Sequence, residues 1–371
     1  MKKILNKLGK IAVGFLTISL GILMGVLLCG ALFSGFFNEG DIVIVIIGLI
    51  VSFYLSMLIH EAGHLVFGLI SGYSFCSFRI GSMMLVKQEG KINIRKMSIA
   101  GTGGQCLMTP PAPINGKIPV VMYNLGGVIA NIILCILFAT GYILCFHTNI
   151  VFSLLFLISL IFSFIVAITN GIPLNVGGIA NDGMNALHLS KDNMAAMAFR
   201  NQLLMNAAQT SGMRISEMPD VWFEIPDGAD VKNVHIASIA VFKVSRSLDR
   251  GDTESAEQEI SALLHSGYNI IGLHRSLLIN DLIYCKLVNG SGSISSLITP
   301  AQKKFMSAMK NYPSIIRTQY AVALLVDNNI QNAEKIKTDF ENKAKKFPYP
   351  QEICAEKELM SKAYEIFKSK I

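Results

Sequence analysis

The strongest chemical signal in the chain is three residues in one short run: His60, Glu61 and His64 of His60-Glu61-Ala62-Gly63-His64. On a continuous helix four residues advance ~400°, so the two imidazoles share a face about one turn apart. That spacing suits two ligands of one tetrahedral zinc ion, with bonds of about 2.0 Å. Glu61 lies between them, placed to accept a proton from the water that attacks and to return it to a leaving amine. The run sits in an apolar stretch from Ile42 to Ile70, where ionisable groups are costly and default to a functional role. A lone histidine at the end of such a stretch commonly snorkels or finds one hydrogen bond. Three ionisable groups in five residues do not fit that explanation. Ala62 and Gly63 are small and leave room for another helix or a substrate.

A catalytic site of this kind needs a third protein ligand and leaves the fourth position for water. Asp182, in Asn181-Asp182-Gly183, is the only acidic residue between Glu89 and Asp192. It has two possible roles: N-cap of a helix starting near Gly183, or the third ligand. Delivery of His60 and His64 to the same side of a bilayer favours the ligand. His188, six residues on, is a weaker rival.

These residues must be positioned by apolar helices. The chain has 371 residues, 52% hydrophobic and only 15% charged, with a mean hydropathy of +0.49. A soluble domain carries nearer a quarter charged residues, so part of this chain belongs in lipid. Four segments are long and apolar enough to cross a bilayer of roughly 30 Å: residues 11–37, 42–70, 118–146 and 150–169. The N-terminus resembles a signal peptide, but its apolar run is too long and lacks a small-residue cleavage site, so it reads as a retained span. Leu28 before Cys29 is too bulky for a lipoprotein processing site.

Lys2, Lys3, Lys7 and Lys10 precede the first span. Arg79, Lys87, Lys91, Arg95, Lys96 and Lys117 fill the loop between the second and third. The other two inter-span loops hold no Lys or Arg, which places both termini and the second loop in the cytosol of a multi-pass cell-membrane protein. The net charge of +7 is explained by this bias, and no nucleic-acid partner is expected. Cys29, Cys76, Cys106, Cys135, Cys145, Cys285 and Cys354 are odd in number and unpatterned, which argues against a disulfide framework or a thiolate metal site.

The second loop alternates from Tyr73 to Met97, with a turn signal at Glu89-Gly90, and predicts a β-hairpin at the membrane surface. The following Gly101-Thr102-Gly103-Gly104 runs into Pro110, Pro111 and Pro113 and reads as a flexible connector. The resulting division is a membrane domain (1–183), a linker with connecting helices (184–235) around Pro219, Trp222 and Pro226, and a cytosolic helical domain (236–371). Gly251–Glu257 resembles Asn328–Glu334, with Asn289-Gly290 midway. That spacing suggests stacked helical hairpins, loosely like tetratricopeptide repeats, with an irregular bundle as the alternative. The expected fold class is thus an α-helical polytopic membrane protein with four spans, a short surface β-hairpin and a C-terminal cytosolic α-helical region.

His60–His64 in one span, Gly126-Gly127-Val128-Ile129-Ala130-Asn131 in another and Asn170…Pro173…Asn181-Asp182-Gly183 after the next together resemble the site-2 protease family of intramembrane metalloproteases, over residues 42–190. The resemblance implies Zn2+ held by His60, His64 and Asp182, Glu61 as catalytic base, and Asn131, Asn170 and Pro173 as substrate-positioning residues. The chain departs from the family pattern in its longer Asn-to-Asp interval, with Asn175–Ala180 as an insertion, in Asn181 where Leu is commoner, and in a second loop too short for a PDZ module. The expected function is hydrolysis of peptide bonds in membrane-associated or membrane-spanning polypeptides near the cytosolic face. A membrane zincin trimming soluble or lipidated peptides, and a non-catalytic zinc-binding scaffold, are the alternatives. A cytosolic protein partner through residues 236–371 is a further expectation.

Overall fold

The computed structural model describes residues 2–33, 37–88, 90–97, 103–176 and 179–370. In chain order these form α1 (Lys2–Phe33), α2 (Glu39–Ile70), β1 (Ser74–Ile80), β2 (Met83–Gln88), β3 (Lys91–Lys96), β4 (Gly104–Thr109), α3 (Val120–Cys145), α4 (Ile150–Gly171), β5 (Asn175–Val176), β6 (Ile179–Ala180) and α5 (Asp182–Leu189). Eight more helices follow: α6 (Asn193–Thr210), α7 (Val234–Asp249), α8 (Thr253–His265), α9 (Gly272–Asn289), α10 (Pro300–Ala308), α11 (Pro313–Leu325), α12 (Ile330–Ala344) and α13 (Pro350–Lys368). Glu89, Gly101-Thr102 and Gly177-Gly178, singled out in the sequence, lie outside the described residues. The chain divides into two compact units, Met1–Gly81 with Ile99–Asn193, and Ser82–Ser98 with Met194–Ile371.

Among the described residues of the first unit, four helices are long and apolar enough to cross a membrane: Gly9–Gly30, Glu39–Ile70, Val120–Cys145 and Ile150–Gly171. Their starts are locally specified. Asn38 and Asp41 form a reciprocal capping box on α2, and Asn149 caps α4 through the Phe152 amide at 3.1 Å, each satisfying an orphan donor of the first turn. The outer faces stay apolar, with Ile46, Ile47, Ile50 and Val51 of α2 all exposed. The inner contacts are polar or small. Ser52 pairs with Ser159 at 2.7 Å and Ser56 with Ser163 at 3.0 Å, joining α2 to α4 at successive turns. Interhelical hydrogen bonds and close backbone approach are what hold apolar helices together where the hydrophobic effect is absent. β1 and β4 pair antiparallel, with a bulge between Phe75 and Ser77.

The second unit begins with the β2–β3 hairpin, in register from Met83↔Lys96 to Gln88↔Lys91. The stretch 73–97 expected as a hairpin thus holds three strands of one four-stranded sheet, of which β2 and β3 form the hairpin and β1 pairs with β4. The stretch 184–235, expected as a linker with connecting helices, holds α5 and α6. α5 belongs to the first unit, whereas Ala198, Met205, Ile215, Met218 and Phe223 share a core with Ile236 and Ile239 of α7.

Seven helices, α7 to α13, follow. Left-handed residues end helices at Gly251, Gly290 and Asn328, repeating the spacing of about 38 residues read from the sequence. Asp252 and Asn329 cap α8 and α12 in matching positions. The core of this region holds a charge network. Arg317 of α11, fully buried, pairs with Asp281 of α9 and, at 3.0 Å, with Glu356 of α13. Its guanidinium lies 4.3 Å from the centre of the Tyr284 ring.

Burial, reinforced by Glu356 and Asp281, pushes the nearby Glu352 carboxyl up to about 8. A carboxyl raised above its unfolded value contributes stability fully below that value, near 4.5, and loses it as pH rises through about 8. The second unit should accordingly melt several degrees lower at pH 8.5 than at pH 5.5, and Glu352→Gln should flatten that slope and raise the alkaline melting temperature. Differential scanning of both proteins across this range checks it; an unchanged slope in the variant refutes the assignment.

Candidate active site

α2 presents His60, Glu61 and His64 on consecutive turns, as the spacing requires. What brings α3 against this face is the absence of side chains. A Cβ on Gly63 would strike the Gly126 carbonyl oxygen, and one on Gly126 would sit 2.5 Å from the Gly63 oxygen. The small residue inside the motif therefore makes room for a helix backbone. Gly127 makes room for the imidazole itself, since a Cβ there would lie 2.6 Å from His60 Cε1.

The hydrogen bonds then fix both tautomers. Asn131, fully buried on α3, donates its amide Nδ2–H to the Ser56 carbonyl at 3.0 Å. Its Oδ1 must consequently be the end that faces His60 Nδ1, 2.9 Å away, and must accept from it. His64 Nδ1 donates to the Tyr123 carbonyl at 2.8 Å. With both Nδ1 positions committed as donors, a neutral imidazole leaves each Nε2 as a bare lone pair.

Those lone pairs converge. His60 Nε2 and His64 Nε2 are 3.3 Å apart, and Asp182 Oδ2 lies 3.0 Å from the first and 3.4 Å from the second. All three ligand atoms fall within 4.8 Å of one another. Three acceptors aimed at one point with no proton between the imidazoles repel unless a cation sits among them. The donor set, two imidazole nitrogens and one carboxylate oxygen, is one that a divalent metal takes, with a fourth position open.

Asp182 reaches this point because Asn181 takes over the capping. Asn181 Oδ1 accepts from the Met184 and Leu174 amides, both at 3.0 Å. Its Nδ2 donates to the carbonyls of Thr169 (2.7 Å) and Ile172 (2.6 Å) at the end of α4. The N-cap role weighed for Asp182 thus belongs to its neighbour, and Asp182, as the first helical residue, is free to turn inward. Gly183 packs its backbone on Gly171, where a Cβ would collide with the carbonyl oxygen. The insertion Asn175–Ala180 leaves and returns at one place, because Asn175 pairs with Ala180 and the Asn181 amide bonds the Leu174 carbonyl. The longer interval therefore does not displace Asp182.

Glu61, half-buried, lies against the start of β4, where a Cβ on Gly104 would be 2.6 Å from its Oε1. Arg79, buried in β1, donates to the carbonyls of Gly81 (2.8 Å) and Gly104 (3.4 Å), fixing that strand end beside the carboxyl. Tyr123 ties the same strand to α3 through a 2.9 Å bond from its hydroxyl to the Cys106 carbonyl, and stacks on Tyr73. Burial, with Glu61 nearby, pushes the Cys106 thiol up to about 12, so it stays protonated.

Of the residues named from sequence, the structure gathers His60, His64, Asp182 and Asn131. The Asn170 amide turns back to the Val166 carbonyl of its own helix, and Pro173 is exposed beyond α4. His188 is exposed in the last turn of α5. Asn181, Tyr123 and Gly104 were not anticipated as parts of the site. No family model, curated protein or solved structure matches this chain.

Because Asn131 acts through His60, Asn131→Leu should leave the helices intact yet weaken divalent-metal retention roughly 10–100-fold, the usual cost of losing a ligand's hydrogen-bond partner. Chelator competition on the purified full chain measures this; unaltered retention would show that His60 needs no orienting partner.

Proposed function

We propose that this protein is an intramembrane zinc metalloprotease, with the activity and site of the site-2 protease family, acting on membrane-associated polypeptides near the cytosolic face. The observation that carries the reading is the convergence of three lone pairs from His60, His64 and Asp182 beside Glu61. Four apolar helices supply the setting, and the lysine-rich second loop supplies the orientation, with both termini cytosolic. Among the described residues the third member of the ligand cluster is Asp182. The membrane zincin alternative would instead take a glutamate from a later helix.

Zinc bound there would supply Lewis-acid polarisation of the scissile carbonyl and of the attacking water. The chain's own residues do the rest. Asn131 and the Tyr123 carbonyl hold the imidazoles with their Nε2 atoms forward. Glu61 accepts the proton as water adds to the carbonyl carbon, and gives it to the leaving amine as the C–N bond breaks. The helices exclude bulk solvent, which strengthens each of these interactions. A non-catalytic scaffold would have no use for a carboxyl at Glu61.

Glu61→Gln should keep its zinc and lower turnover by at least about 10²–10⁴-fold, the usual contribution of a general base. Comparing membrane-peptide fragments from cells expressing wild type or variant checks this. Fragments with new termini in or beside a span should accumulate only with Glu61 intact. Equal accumulation with the variant contradicts the base assignment.

A further inference from the structure

α2 and α4 meet along one row of positions. Ser52 faces Ser159 at 2.7 Å and Ser56 faces Ser163 at 3.0 Å, and each pair is separated by 107 positions in the chain. Gly48 and Leu155 have the same separation, and a Cβ on Gly48 would lie 2.1 Å from Leu155 Cδ2. The two helices therefore run parallel and keep a single register through these pairs.

Each hydroxyl has one proton to give, and this fixes the direction of both bonds. Ser56 spends its proton on the Ser52 carbonyl at 2.8 Å, and Ser159 on the Leu155 carbonyl, also at 2.8 Å. Ser163 must consequently donate to the Ser56 hydroxyl, and Ser52 to that of Ser159. Ser52 and Ser163 are 5% and 0% exposed. A shift of α4 along α2 would strand both protons in an apolar interior with no water to receive them. Without a hydrophobic drive between helices in lipid, such bonds and close packing select one axial position.

The register matters because the converging ligand atoms are divided between these helices. His60 and His64 continue α2 at the next two steps of the same row. Asp182 travels with α4. The Asn181 amide grips the Thr169 and Ile172 carbonyls at the helix end, and Gly183 lies on the Gly171 backbone. A slip of one residue moves a helix by about 1.5 Å along its axis, whereas metal–ligand distances tolerate roughly 0.2 Å.

We propose that Ser52–Ser159 and Ser56–Ser163 form a register clamp, whose serines are positioning residues that hold Asp182 level with His60 and His64 so that the three share one divalent cation. This rests on the metal reading of that site. The clamp works through the Ser56 hydroxyl and α4, and is separate from the Asn131 bond to the Ser56 carbonyl.

The test uses the purified full chain, with zinc retention measured against a graded series of chelators. Ser52→Ala with Ser163→Ala removes the two donors and leaves Ser56 and Ser159 bonded within their own helices. Retention should fall roughly 3–20-fold for each bond lost, the range such bonds span between membrane helices. Ser163→Ala alone, a smaller change, should show the one-bond loss. Asp182→Ala leaves the clamp no ligand to place, so adding the two serine changes to it should alter the remaining retention by less than about 2-fold. With cobalt in place of zinc, the visible absorption of the serine variant should move toward that of Asp182→Ala.

A role confined to packing would cost the same in both backgrounds, so equal losses with and without Asp182 overturn the proposal. Undiminished retention by the serine variants, in a chain that otherwise holds zinc, refutes the clamp alone. A wild-type chain that retains no zinc refutes the metal reading beneath it.

Discussion

Two imidazoles and a carboxylate held with their lone pairs facing one another are unfavourable by themselves, and most of the first unit's detail serves to impose that arrangement. Each Nδ1 proton is drawn away, one to Asn131 and one to the Tyr123 carbonyl. Asn131 can do this in only one orientation because its amide is pinned to the Ser56 carbonyl. Ser56 in turn bonds Ser163 across to α4, so the helix pairing and the imidazole orientation are parts of one network. Glycine at positions 63, 126, 127 and 183 removes the side chains that would hold these backbones apart. A shared cation would turn the strain of convergence into binding energy.

How much of this could be read from sequence depends on where each signal resides. His60, Glu61 and His64 are legible because helical periodicity alone puts them on adjoining turns. Asp182 is legible as the one acid in a long unacidic stretch, but its capping alternative could be discarded only when Asn181 was seen to bond Met184 and the α4 carbonyls. Tyr123 contributes a backbone carbonyl, and any residue there carries one, so no side-chain pattern announces it. The serine pairs at 52/159 and 56/163 become partners only through the facing of α2 and α4, which no sequence pattern announces. The longer interval at 175–180 reads as a departure from the family pattern, and the pairing of Asn175 with Ala180 brings its two ends together.

The second unit shows the same division. Its helix count and the roughly 38-residue recurrence follow from turn residues, and Gly251, Gly290 and Asn328 are where the chain enters the left-handed region. The segment around Pro219 and Trp222 resembled a linker because proline and short apolar runs lack periodicity. It is instead packed core, with Phe223 and Met218 buried. The β2–β3 hairpin was expected as surface structure, and its alternation is real. Its membership in the second unit depends on contacts made more than a hundred residues away in sequence, by Gln88 with Thr210 and Pro348.

The central claim is that His60, His64 and Asp182 hold one zinc ion, and X-ray absorption at the zinc edge of the purified full chain tests it most directly. The expected result is one zinc per chain in a four-coordinate shell of nitrogen and oxygen at about 2.0–2.1 Å, with the outer-shell scattering of two imidazoles. A shell containing sulfur, a single imidazole, or a chain that binds no zinc would contradict it.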